Sequence, residues 1–215
     1  MLRVRRAWWP TLGLALAVAV LTVLVATGAL LGLDSTAQPW LTSQPDDGVG
    51  RRVAGVLAAL GEVWLVGFVL LGTVLWACAR DRSARPAVAA VSAAAGTALT
   101  VVVLKAATGR TAPGAGASDV LAGGRSYPSG HAATAAVCLL LVAFLIAAAL
   151  RGRARGGVVV AATALSVAVA WATVALDFHW VSDVVGGPLV GAAWATGVRP
   201  WLRTEPVGAR RGEGA

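Results

Sequence analysis

The chain has 215 residues, 58% of them hydrophobic and 13% charged, with a mean hydropathy of +0.77. A soluble domain carries about 25% charged residues, so this composition excludes an ordinary soluble globular protein and leaves room for one helical bundle without a second domain. The net charge of +8 is not a nucleic-acid footprint, because the arginines cluster just beyond the ends of apolar runs.

The first apolar run, Ala7 to Leu33, follows Arg3, Arg5 and Arg6. It is longer than the apolar core of a signal peptide and reads as a retained helix. The second run is Val53 to Ala79, interrupted by Glu62. The third is Pro86 to Leu104, the fourth Ala132 to Leu150 and the fifth Gly156 to Leu176. The sixth, Val184 to Val198, is weaker and contains Gly186, Gly187 and Pro188. Such residues are tolerated in membrane helices whose backbone is covered by neighbours. These runs predict an all-α integral membrane bundle of six transmembrane helices over residues 1–203. Residues 204–215 lack apolar periodicity and are expected to form a disordered cytoplasmic tail.

Six spans put both termini on one side. Thirteen of the 18 lysines and arginines lie on that side: in the N-terminus, the second-to-third loop, the fourth-to-fifth loop and the tail. The other side holds Arg51, Arg52, Lys105, Arg110 and Arg125. Positive charge marks the cytoplasmic face, so both termini are expected in the cytoplasm. The predominance of Ala, Val, Gly and Arg, with Lys105 the only lysine, suggests a GC-rich genome and a bacterial cell membrane. Cys78 and Cys138 fall in apolar runs and read as small core residues.

Three polar clusters then lie on the outer face. In Tyr127-Pro128-Ser129-Gly130-His131, proline and glycine set a turn before an apolar helix. The first N–H groups of that helix have no internal partner, and with the helix dipole they suit a phosphate. Ser129 adds a hydroxyl, Gly130 permits close approach, and His131 stands where it can protonate a leaving oxygen. An ordinary N-cap beside an interfacial histidine fits the same residues. His179 and Asp183 are four apart and share a helical face. The carboxylate would orient the imidazole and leave its other nitrogen free to attack phosphorus, although Asp183 as a simple helix cap is also open. A zinc site lacks a third good ligand on that side. Lys105 and Arg110 frame a third segment and supply cations for phosphate oxygens, with interfacial snorkelling the alternative for Lys105. Glu62 falls inside the second run, roughly 15 Å from its outer end at helical rise, and is expected to pack as a protonated or hydrogen-bonded group.

These segments, in this order, resemble the type-2 phosphatidic acid phosphatase superfamily of membrane lipid phosphatases. The family pattern is Lys-x6-Arg-Pro, then Pro-Ser-Gly-His, then Ser-Arg-x5-His-x3-Asp. Pro128 to His131 match fully, Asp183 follows His179 at the family spacing, and Lys105 and Pro113 match the ends of the first segment. The resemblance covers roughly Lys105 to Gly187. It implies hydrolysis of a phosphomonoester or diphosphate without a metal or other cofactor. By that resemblance His179 is the nucleophile forming a phosphohistidine, Asp183 orients it and His131 is the acid. Lys105, Ser129 and Gly130 hold the phosphoryl oxygens. Both family arginines are replaced, by Ala112 and Thr173. Arg110 and Arg125 are the candidate substitutes in binding phosphate.

The expected substrate is a lipid phosphate or polyprenyl diphosphate of the outer leaflet, and the expected partners are that lipid and the bilayer, with no nucleic acid. The sequence carries no sign of the oligomeric state. The replaced arginines motivate an alternative, a non-catalytic relative that binds or moves phospholipid. A transporter with a proton relay through Glu62 is a third reading, unsupported by any internal repeat.

Overall fold

The computed structural model describes residues 8–43, 48–115 and 119–202. The expected tail, 204–215, lies outside the described residues. The α-helices in chain order are α1 (Trp9–Ala26), α2 (Leu31–Ser43), α3 (Gly48–Ala59), α4 (Val63–Asp81), α5 (Arg85–Thr108), α6 (Gly130–Ala149), α7 (Arg153–Ala175) and α8 (Val181–Val198). Five of them, α1 and α4 to α7, are long and apolar enough to cross a membrane. The eighteen residues of α8 span roughly 27 Å at helical rise and complete a six-helix bundle. No strand occurs among the described residues.

The bundle is built around α6, which packs against α4, α5, α7 and α8. Its Val137, Leu141 and Phe144 meet Val66, Leu70 and Val74 of α4, Ala89 and Ala93 of α5, and Ala195 and Val198 of α8 in one buried cluster. Cys138 is buried in this cluster and Cys78 packs against it. The outer surface is the reverse of a soluble protein's. Leu12, Leu16 and Val20 of α1, Phe68 and Leu75 of α4, and Val91, Leu99 and Val102 of α5 are all exposed, as a lipid-facing surface requires.

Lipid tails are as apolar as leucine, so such helices associate through close packing rather than through water exclusion. The contact of α8 with α6 is the clearest case. A Cβ added at Gly187 would lie 2.5 Å from the Ser129 carbonyl oxygen, and one at Gly191 would lie 2.4 Å from that of Ala133. Only glycine lets the two backbones approach this closely. Gly186 performs the same service for the Tyr127 ring, 2.7 Å from its missing Cβ. The glycines that made the sixth span look weak in sequence are the ones that seat it.

Thr11 Oγ1 near the start of α1 donates to Thr196 Oγ1 near the end of α8 over 3.1 Å. The two described ends of the chain therefore share one end of the bundle. The candidate site lies at the other.

Two sequence expectations are corrected here. The first apolar run does not continue to Leu33 as one helix. It stops at Ala26, where Gly28 takes a left-handed φ of 73°, and α2 begins a separate helix. The second run is not a single span either. α3 ends at Ala59, Glu62 is extended (φ −66°, ψ 128°), and α4 starts at Val63. Gly61 makes the break possible, since its missing Cβ would be 3.0 Å from Val169 Cγ1 and 3.2 Å from His131 Cβ. Glu62 thus lies at a helix boundary rather than inside a continuous span, and is hydrogen-bonded there to His131. It sits at the end of a span, with its side chain 44% exposed.

Candidate active site

The site is assembled from the polar end of the bundle, beginning where α5 stops. Gly109 caps α5 in the left-handed region (φ 53°) and its N–H donates to the Lys105 carbonyl over 3.0 Å, a common helix ending. Arg110 follows immediately. Residues 119–126 fold back along this exit: Leu121 N–H donates to Thr108 O (2.8 Å), Gly124 N–H to Gly109 O (2.9 Å) and Ser126 N–H to Arg110 O (2.9 Å). A side chain at Gly124 would collide with the Arg110 carbonyl, 2.1 Å from the added Cβ. The Lys105 ammonium donates to the backbone carbonyls of Arg125 and, at 3.4 Å, Ser126. Lysine here ties down the loop that carries the next motif.

That loop leads into α6. Tyr127 is fully buried, its hydroxyl 3.0 Å from Thr22 Oγ1 of α1, and burial pushes the phenol above its usual value. Ser129 caps α6, its hydroxyl accepting from Ala132 N–H at 3.4 Å. Its own N–H donates to the Asp183 carbonyl over 3.0 Å, which binds the start of α6 to the start of α8. Gly130 and His131 form the first turn of α6. The His131 side chain is 42% exposed, and its Nε2 lies 3.0 Å from Glu62 Oε1.

His179 and Asp183 flank the start of α8. Asp183 is fully buried. Its Oδ2 lies 3.5 Å from His179 Nδ1, accepts from Trp180 N–H at 3.1 Å and also accepts from the Ser126 hydroxyl. Ser126 Oγ is in turn 3.3 Å from His179 Nδ1. One ring nitrogen of His179 is therefore held by a carboxylate and a hydroxyl, which leaves Nε2 as the nitrogen available for chemistry. The His179 side chain keeps 12% exposure.

Behind Asp183 lies a second layer. Arg110, only 1% exposed, donates from Nη1 to Asp183 Oδ1 (2.9 Å) and to the Ser182 hydroxyl, and from Nη2 to Asp34 Oδ2 (2.6 Å). Asp34, also fully buried, accepts from Ser182 N–H (3.0 Å) and the Ser182 hydroxyl (2.6 Å), so it caps α8 from α2. The Trp180 ring lies 5.6 Å from the Arg110 guanidinium, and its indole N–H donates to Thr111 O over 2.8 Å. Gln38 of α2 donates to Asp177 Oδ1 (2.8 Å) and to the His179 carbonyl (3.4 Å). A buried charge stripped of its partner is costly. Here one guanidinium serves two carboxylates in a fixed geometry.

The residues singled out in sequence, Lys105, Arg110, Arg125, Ser129, Gly130, His131, His179 and Asp183, all fall at this end of the bundle. Arg110 does not face outward; its guanidinium is buried against Asp34 and Asp183. Arg125 is exposed. Sequence reading missed Asp34, Gln38, Ser126 and Ser182. Asp34 was legible in part, as a carboxylate just past the end of the first apolar run, but no spacing rule joins it to Arg110, 76 positions on. Among the described residues no group of three or more His, Cys, Asp or Glu side chains has the arrangement of a metal site.

Residues 86–206 match the family model of the PAP2 superfamily. The chain belongs to the PAP2 superfamily. A similar solved structure is the crystal structure of the first transmembrane PAP2 type phosphatidylglycerolphosphate phosphatase from Bacillus subtilis. It shares 20% identity, with a TM-score of 0.74 over 90% of this chain and 95% of that one. At that identity the likeness is one of fold. No curated protein sequence matches significantly. As a PAP2 member the chain departs from the pattern at Ala112 and Thr173. Thr173 is buried in α7, its hydroxyl donating to the Ala170 carbonyl over 2.8 Å.

Proposed function

We propose that this PAP2 protein is a lipid phosphatase that cleaves a lipid phosphate or polyprenyl diphosphate through a phosphohistidine, without a metal. The observation that carries the reading is the polarity of His179. Its Nδ1 faces Asp183 and Ser126, while Asp183 is itself held by Arg110, whose other guanidinium nitrogen binds Asp34.

The Nε2 lone pair attacks phosphorus and the bond to the lipid oxygen breaks. Asp183 stabilises the positive charge that develops on the ring, as in hydrolytic triads. His131 gives its proton to the departing oxygen. It then takes a proton from the water that attacks the P–N bond, which returns His179 and releases phosphate. The N-terminal amides of α6 and the exposed Arg125 bind the phosphoryl oxygens. Lys105 supports this role by anchoring the Arg125–Ser126 carbonyls. We assign Arg110 to positioning Asp183, since its buried guanidinium already serves two carboxylates. The distribution of arginine and lysine supports cytoplasmic termini and a site facing the outer leaflet of a bacterial membrane.

A second reading rests on Ala112 and Thr173. With Arg110 engaged elsewhere, this site brings fewer cations to phosphate than the superfamily pattern, and phosphoryl transfer depends on such charges. A member that binds lipid phosphate without turnover fits that deficit. The test is phosphate release by the purified protein in detergent with chelator present, on a panel of lipid phosphates and diphosphates. Release that survives chelation and is lost in His179→Ala supports the phosphatase. Binding without release by folded protein supports the second reading.

A further inference from the structure

Glu62 is an acidic side chain at this end of the bundle that the mechanism leaves unused. It stands at the first position of a span, where a carboxylate ordinarily takes the free N–H groups of the helix. It makes no such bond. Instead Oε1 reaches 3.0 Å to His131 Nε2, and among the described residues no other ion pair or side-chain hydrogen bond involves Glu62. The backbone brings it there, because the break at Gly61 is pressed against His131 Cβ so closely that a side chain at 61 would be 3.2 Å away. Both Glu62 and His131 remain more than two-fifths exposed, so the pair is accessible at this end of the bundle.

His131 is the acid in the reading above, so the leaving group departs toward it and comes to lie beside Glu62. We propose that Glu62 selects the leaving group. It favours phosphomonoesters whose leaving group is a neutral alcohol and disfavours diphosphates, whose leaving group is itself a phosphate carrying negative charge. A carboxylate next to a departing anion opposes it in proportion to that charge. Rejection by a placed like charge is an efficient route to specificity. An alcohol bearing a further hydroxyl gains a second advantage, since it can donate to the Glu62 oxygen not occupied by His131. The preferred substrate class is therefore a lipid phosphomonoester with a hydroxylated leaving group.

This inference rests on the phosphatase reading and on His131 as the acid. The experiment measures kcat/KM for the full chain in detergent on three substrates. They are lysophosphatidate, whose neutral leaving group carries a further hydroxyl, phosphatidate, whose neutral leaving group does not, and a polyprenyl diphosphate. Wild-type protein is expected to prefer them in that order. Glu62→Gln keeps a hydrogen-bonding group beside His131 and removes the charge. It is expected to raise the diphosphate-to-monoester ratio of kcat/KM roughly tenfold or more. A defect that merely weakens the fold or misplaces His131 would lower all three substrates together and leave the ratio unchanged. An unchanged ratio, or a wild-type preference for diphosphate, overturns the role of Glu62 while leaving the phosphatase reading intact. Absence of turnover on all three overturns both.

Discussion

The backbone N–H of Ser129 donates to the backbone carbonyl of Asp183 across 3.0 Å. This bond joins the cap of α6 to the first turn of α8. It sets the distance between two motifs more than fifty positions apart in sequence, so the proposed phosphate cradle and the proposed nucleophile move as one body. The bond needs the close approach at Gly187, whose missing Cβ would stand 2.5 Å from the Ser129 carbonyl oxygen.

Gly187→Ala is therefore expected to cost both stability and activity, because backbone on both sides blocks the new methyl. Overpacking of this kind typically costs about 1–3 kcal/mol. Gly67→Ala in α4, with no atom within 4 Å of the added carbon, is the matched control and should be silent. Thermal unfolding in detergent and phosphate release check both variants. Equal behaviour of the two would contradict the packing argument.

Asp183→Asn should keep most of the local geometry but hold the wrong hydrogen on the His179 side. A loss in kcat on the order of 10³-fold or more is expected, by comparison with the equivalent change in hydrolytic triads. KM should move little, since Asp183 is buried and does not meet the substrate. A rise in KM at constant kcat would assign Asp183 to binding instead.

Arg110→Ala leaves Asp34 and Asp183 facing each other without their shared cation. Breaking a buried pair in this way costs about 3–5 kcal/mol, so both fold and turnover should suffer. Arg51→Ala, on the exposed face of α3, should do neither. Asp34→Asn combined with Arg110→Ala should cost less than the sum of the single changes, because the partners are coupled. Strict additivity in thermal unfolding would remove Arg110 from its bridging role.

The architecture was legible in the apolar runs, because lipid demands long uncharged helices and the runs announce them. Spans three to six were placed to within a few residues. The second span was not, because a sequence rich in alanine, leucine and valine runs on through α3, Leu60 and α4. Only Gly61 and Glu62 signal the break, and a single glycine beside a charge is equally compatible with a continuous helix. The clusters around His131 and His179 were legible because polar residues are costly in such a chain. The partnership of Asp34 with Arg110 was not, since it depends on α2 folding back over α8, a tertiary contact with no local period. The same contact explains why Arg110, which in sequence resembled a spare phosphate ligand, is buried.

Arg125, four residues before the Ser129 cap of α6, is exposed. Arg125→Ala is expected to raise KM by roughly ten- to a hundredfold, the usual range for a charge-assisted contact. Lys105→Ala should act differently, loosening the loop and lowering kcat and the melting temperature together. Steady-state kinetics beside thermal unfolding separates the two patterns. If Arg125→Ala leaves KM unchanged, the phosphate is held by backbone amides and not by this side chain.

The break between α3 and α4 has a wider consequence. Glu62 and Asp34 both precede residue 86, where the match to the superfamily begins. The portion of the chain that carries the superfamily signature would thus perform the reaction, while the preceding portion would supply the groups that brace it and meet the departing lipid. The two duties are then separable by inheritance. A chimaera with another superfamily member's first two spans would keep the same chemistry and acquire a different taste in lipids.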